Sequence, residues 1–111
     1  MIEYSDFEKV DMRTGTIMEV SDNLKAKKPA YVLKIDFGEE IGIKTSSAQL
    51  VNSYTKEELM HKKIVAVVNF DSKNIAGVVS EVLVLGLPVE GGKICLIEPV
   101  GYDVQNGSRL Y

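Results

Sequence analysis

The chain has 111 residues, of which 45% are hydrophobic and 26% charged, with one cysteine and a net charge of −3. That is one domain's length, enough to bury a core without metal or disulfide staples, and the lone Cys95 excludes an internal bridge. The charge is uneven: residues 24–73 hold nine lysines against six acids, a balance of +3, while residues 1–23 stand at −4 and residues 74–111 at −2. A basic middle within an acidic chain suits a polyanionic partner, against the alternative of a mixed solvated surface.

In chain order, the first residues lack the basic and apolar regions of a signal peptide. No apolar run approaches the ~18 residues of a membrane span, so a cytoplasmic protein is expected. Ser5-Asp6-Phe7-Glu8 reads as a short capped helix. Met12 to Val20 is a strand rich in Thr, Ile and Val, with Gly15 placed for a bulge or coil, and Asp22-Asn23 is a turn. Tyr31 to Phe37 alternates apolar and polar residues, a strand with one wet face. Gly38-Glu39-Glu40 turns it into a second strand over Ile41–Thr45. Thr55 and Glu58 form a capping box, with Tyr54 and Leu59 as a staple across a helix of one to two turns. Ile64–Phe70, Val78–Leu85 and Lys93–Ile97 are further strands, and Glu90-Gly91-Gly92 and Gln105-Asn106-Gly107 are turns. Five or six short strands with one helix between the third and fourth is the arrangement of a five-stranded OB barrel, with short N- and C-terminal extensions.

Catalytic chemistry is not signalled. His61 is the sole histidine and stands at the end of the predicted helix, where a polar or cationic residue complements the dipole. One His and one Cys make no structural zinc set, so no metal and no cofactor are expected. Ser46 and Ser47 have no histidine to serve them other than His61, and no phosphate-binding glycine fingerprint occurs. Cys95, between Ile94 and Leu96, is expected to be an inert core residue. Glu81 is the one acid within an apolar strand; either its face is half-wet or it has a fixed partner such as a lysine or backbone amides.

Val10-Asp11-Met12-Arg13-Thr14-Gly15-Thr16-Ile17 resembles the first strand of the tRNA-binding OB domain of many methionyl-tRNA synthetases, of an endothelial monocyte-activating cytokine and its yeast cofactor relative, and of the free-standing CsaA branch. Lys28 to Gly38, the run Lys44-Thr45-Ser46-Ser47-Ala48-Gln49-Leu50 with Tyr54, and Val68-Asn69-Phe70 resemble the CsaA branch in particular. So do Lys73, Ile75-Ala76-Gly77 and Ser80-Glu81-Val82-Leu83-Val84-Leu85-Gly86. The resemblance covers nearly all of residues 1–111 as one domain. It implies a non-enzymatic homodimer that grips tRNA by shape and backbone, or, as in CsaA, a chaperone that binds unfolded polypeptide in apolar hollows near the dimer seam. The sequence departs from the pattern at Asp71-Ser72, Asn74 and Val79, where prolines and basic or polar residues are usual; this thins the basic patch and lowers the expected affinity.

The expected tRNA contacts are Lys25, Lys27, Lys28, Lys34 and Lys44 as one basic stripe, with Lys73 and the polar Ser46, Ser47, Gln49, Asn69, Ser80 and Glu81. The alternative peptide site draws on Phe7, Tyr31, Phe70 and Leu87. Apolar Phe7, Leu110 and Tyr111 on the terminal extensions need docking, onto a second subunit or onto their own barrel.

Overall fold

The computed structural model describes residues 1–111. Its spine is β1 (Met12–Asp22), eleven residues long. One edge of β1 pairs with β2 (Tyr31–Asp36), which pairs in turn with β3 (Ile43–Ala48). The other edge pairs with β4 (Lys63–Val67), which meets β7 (Leu83–Val84). All pairings are antiparallel, in the order β3-β2-β1-β4-β7. The free edge of β3 then closes on the residues before β7. Glu81 N donates to Thr45 O at 2.8 Å, Thr45 N donates to the Glu81 carboxylate at 3.0 Å, and Ser47 N donates to Ser80 Oγ at 3.1 Å. The result is a nearly closed five-stranded barrel with helix α3 (Lys56–Leu59) between its third and fourth strands, an OB fold. No helix is long and apolar enough to cross a membrane.

The β2 alternation sets the core. Tyr31, Leu33 and Ile35 point inward and are buried, with Phe37 just beyond the strand; Ile17, Leu59 and Ile64 complete the sealed centre. Gly15 serves this packing. A Cβ there would stand 2.7 Å from Ile35 Cγ2 and 2.8 Å from the Phe37 ring. The expected bulge is instead at Met18, where the β1–β2 register slips between Ile17 and Glu19.

Helix α3 starts as its sequence dictates. The Thr55 hydroxyl accepts from Glu58 N at 3.1 Å, and the Glu58 carboxylate accepts from Thr55 N at 2.9 Å. Hydrogen bonding to the carboxylate, from the Thr55 backbone first and from its side chain second, holds the Glu58 carboxyl below its ordinary range. The box therefore stabilises fully above that range and is lost as pH falls through the depressed value. Thr55→Ala is expected to cost about 1 kcal/mol by urea unfolding, while the Thr55 N–H bond to the Glu58 carboxylate, which the substitution leaves in place, keeps most of the acid limb of the stability–pH curve. His61 follows the helix in the left-handed region at φ 66°, and its N–H donates to Ile17 O.

Several expectations are corrected. Helix α1 (Tyr4–Glu8) is capped from Glu3, whose N–H donates to Asp6, not from Ser5. Gly38–Ile41 is a helical turn, α2, so the third strand starts at Ile43. The fourth strand ends at Val67. The run from Val78 to Leu85 is broken, because Glu81 turns its main chain and carboxylate onto β3. Its first part, β6 (Val78–Ser80), forms a hairpin with β5 (Lys73–Ile75). The turn residues Ala76 and Gly77 have φ 50° and 83°, the pattern of a primed hairpin turn. A second hairpin joins β8 (Gly86–Val89) to β9 (Lys93–Leu96) through a 3₁₀ turn at Glu90–Gly92. Cys95 is exposed: it faces outward opposite Leu87 while Leu96 turns in.

Both extensions dock on their own barrel. Thr14 bonds the tail twice (Gly107 N donates to Thr14 O, 2.7 Å; Thr14 N donates to Ser108 O, 3.0 Å), and Leu110 N donates to Met12 O. Gly107 has φ 86° and lies against the Phe37 carbonyl, so no side chain fits. The Asp11 carboxylate meets Arg13 at 2.6 Å and Arg109 at 3.5 Å, and Arg109 also donates to Glu8 O. The Asn69 amide joins this end, accepting from Asp11 N and donating to Lys9 O.

Candidate nucleic-acid interface

The β1–β2 loop is built on Asn23, which is buried although polar. Its N–H donates to Ala30 O at 2.9 Å, its Oδ1 accepts from Lys25 N at 3.3 Å, and its Nδ2 donates to Ile75 O at 3.3 Å. One residue thus fixes the loop's own ends through its main chain and ties it to the β5–β6 hairpin through its side chain. The six residues between are pushed outward, and Lys25, Lys27 and Lys28 are exposed. None of the three has an acidic side chain within 4.0 Å, whereas other lysines of the basic middle do: Lys34 meets Glu19, Lys44 meets Glu81, Lys56 meets Asp22 and Lys62 meets Glu98. The Asp22 hydrogen bond holds the Lys56 ammonium above the ordinary lysine range. Lys62 also lies over the Tyr54 ring at 5.5 Å, and Lys63 donates to the Val104 carbonyl.

The loop, β3 and the hairpin form one face. Lys27, Lys28, Ser47 and Gln49, with Ile75 and Ala76 of the hairpin tip, line a hollow of about 340 Å³. Ser46 and Gln49 line the next hollow, against Leu83 and Ile94. Ser46 itself is buried, its side chain turned toward the core in register with Leu33. Beyond Leu83, Lys73, Ser80 and Glu81 line a third hollow with Phe70. The Glu81 carboxylate has both partners the sequence pointed to, the Thr45 amide and the Lys44 ammonium at 3.8 Å, and it remains half-exposed.

The expected five-lysine stripe does not form. Lys44 is opposite Ile35 in the β2–β3 register, on the inward side, whereas Lys34 is opposite Thr45 and leaves from the outer side toward Glu19. Alternation sends these two lysines to opposite faces. Asn69 is also outside the face, its amide bonded to the N-terminal segment. Of the apolar candidates, Tyr31 is core: it is buried and its hydroxyl donates to Tyr54 O at 2.9 Å. Phe7 is half-buried, 6.1 Å from the Tyr4 ring, in a hollow shared with Leu110 and Tyr111. Phe70 and Leu87 are exposed; Phe70 lines the third hollow and Leu87 does not. Asn23, Ile75 and Ala76, read from the sequence only as a turn residue and as part of the family pattern, were not among the expected site residues; the signal available was Asn74-Ile75-Ala76-Gly77, a turn tetrad whose Asn74 side chain accepts from Gly77 N. No cluster of three His, Cys, Asp or Glu side chains is present.

A five-stranded OB barrel carrying unpaired lysines beside serine and amide groups is a frame on which oligonucleotide- and oligosaccharide-binding faces are built. Residues 12–109 match the family described as "putative tRNA binding domain", and the chain belongs to it. It is similar over 100% of both chains to the crystal structure of the CsaA chaperone protein of Picrophilus torridus, at 53% identity and a TM-score of 0.92. The chaperone CsaA of Bacillus anthracis is 43% identical, with a TM-score of 0.91, over 100% of this chain and 99% of that one. Methionine–tRNA ligase of Pyrococcus furiosus is 38% identical over 98% of this chain, which spans 14% of that enzyme. The chain spans about one-sixth or less of the curated relatives it matches (16% and 14% of the first two).

Proposed function

We propose that the chain is a non-enzymatic tRNA-binding module, acting in the cytoplasm as a homodimer and gripping RNA by backbone and shape. The observation that carries this reading is the exposed, acid-free group Lys25, Lys27 and Lys28 beside Ser47 and Gln49, in a member of a tRNA-binding family. Lysines supply affinity and orientation to phosphates, and the hydroxyl and amide groups suit sugar hydroxyls and base edges. The ligase activity of the synthetase relatives is not part of the proposal.

Filter binding of total tRNA at two salt concentrations tests it. With about four phosphates neutralised, affinity is expected to fall roughly a hundredfold between ~50 and ~200 mM monovalent salt. Binding that ignores salt contradicts the reading. A second reading, a chaperone for unfolded polypeptide, is supported by the full-length similarity to two CsaA chaperones and by the exposed apolar Phe70 and Leu87. Apolar capture of peptide would persist in high salt. The dimer is supported by the exposed Tyr4 and Tyr111 beside the docked extensions. Sedimentation is expected to give twice the 12.3 kDa chain mass; a monomer at every concentration would remove the dimer.

A further inference from the structure

The hollow beside Phe70 has a chemistry different from the lysine loop, and we propose that it is a nucleobase pocket that selects guanine. The proposal deepens the tRNA reading and rests on it. The hollow holds about 470 Å³ and is walled by Phe70, Val82 and Leu83, with Lys73, Ser80 and Glu81 at its polar side. Phe70 is 59% exposed, so its ring offers a face to stack on. Asp71 also lines the site, and with Lys44 at 3.8 Å from Glu81 the two carboxylates are balanced by two ammonium groups, Lys44 and Lys73. That balance leaves the hollow near neutral and suits an uncharged ring rich in N–H donors.

The hydrogen-bonding groups identify the ring. The Glu81 carboxylate uses one oxygen on Thr45 N, and its long contact to Lys44 leaves the other oxygen with acceptor capacity. Ser80 Oγ already accepts from Ser47 N, so its own O–H is left to donate. One donor beside a carboxylate matches the Watson–Crick edge of guanine: O6 accepts while N1–H and N2–H donate. Uracil offers that edge one donor between two acceptors, cytosine one donor and two acceptors, and adenine one donor and one acceptor, so each makes two bonds where guanine, with two donors for the carboxylate and one acceptor for the hydroxyl, makes three. Lys73, opposite Ser80 on the hairpin, is set to meet the flanking phosphate.

The sequence contains no tryptophan, so Phe70→Trp installs a single reporter at an exposed position that does not support the core. The probes are the single-stranded pentamers UUGUU, UUAUU, UUCUU and UUUUU. Indole emission is expected to be quenched with at least about tenfold tighter binding of the G pentamer. Adding Glu81→Gln keeps an acceptor for Thr45 N while removing the carboxylate; it is expected to cut the preference to less than about threefold. Equal quenching by all four pentamers, no quenching, or displacement by an apolar peptide and not by RNA would overturn the pocket. Filter binding of total tRNA to Phe70→Leu runs alongside. If that variant binds tRNA while the pentamers show no preference, the pocket fails and the tRNA reading stands; if the unmodified protein does not bind tRNA, the underlying reading has failed.

Discussion

Reversing Lys25, Lys27 and Lys28 to glutamate together is expected to lower tRNA affinity at least about a hundredfold near 100 mM salt, and to reduce the slope of log affinity against log salt by roughly three. Three exposed ammonium groups with no acid partner contribute to phosphate binding without first giving up an ion pair. Reversal also sets three carboxylates in their place, which adds repulsion. Because the loop is held by Asn23 and not by the lysines, the fold is expected to survive, with an unchanged unfolding midpoint. Lys34→Glu is the matched comparison. Lys34 already meets Glu19, so its reversal is expected to lower tRNA affinity less than reversal of the unpaired loop lysines. A triple variant that binds like the parent would mean that RNA lies elsewhere on the barrel.

The second large effect is on stability. Phe37 is fully buried, and its ring fills the space above Gly15. Phe37→Ala is expected to cost about 3–5 kcal/mol by urea unfolding, a large part of the ~5–15 kcal/mol that holds a small domain together. Phe70→Ala, the same deletion at an exposed site, is expected to stay within about 0.5 kcal/mol. The two sites with Phe37 also predict a coupling. Gly15→Ala drives a methyl into the Phe37 ring, so the cost of Gly15→Ala should shrink by at least ~0.5 kcal/mol once the ring is gone. Equal costs in both backgrounds would show that the Gly15 requirement comes from Ile35 alone.

Elements whose signal is local were legible in the residues. The Tyr31–Asp36 alternation, the Thr55–Glu58 box and the Lys93–Leu96 strand each follow from periodicity or capping within a few residues. What was hidden depends on partners distant in sequence. The break at Glu81 arises because Thr45, 36 residues away, offers an amide and a carbonyl. β8 carries Pro88, which argues against a strand, yet it persists with β9 as its only partner in a two-stranded sheet. Cys95 sits in an apolar run that reads as core, but a two-stranded ribbon has an outer face and the alternation puts Cys95 on it.

The site divides the same way. That lysines gather in the middle of the chain is visible from composition, and so is the acid-poor segment 24–35. Which lysines are unpaired is not. Lys56 and Asp22, or Lys62 and Glu98, are 34 and 36 residues apart and meet only when the barrel closes. Lys34 and Lys44 lie on adjacent strands, so a stripe through both looked natural. Their relative facing depends on the β2–β3 register, and the turn at Gly38–Gly42 sets that register by delaying the third strand to Ile43.

The most direct test is an NMR titration of ¹⁵N-labelled protein with total tRNA, read at each backbone amide. The largest shifts are expected at Lys25, Lys27 and Lys28, at Ser47 and Gln49, and along the Lys73–Ser80 hairpin, with smaller shifts at Glu19 and Lys34. Shifts centred on Glu19 and Lys34, or none in the 24–29 loop, would contradict the interface.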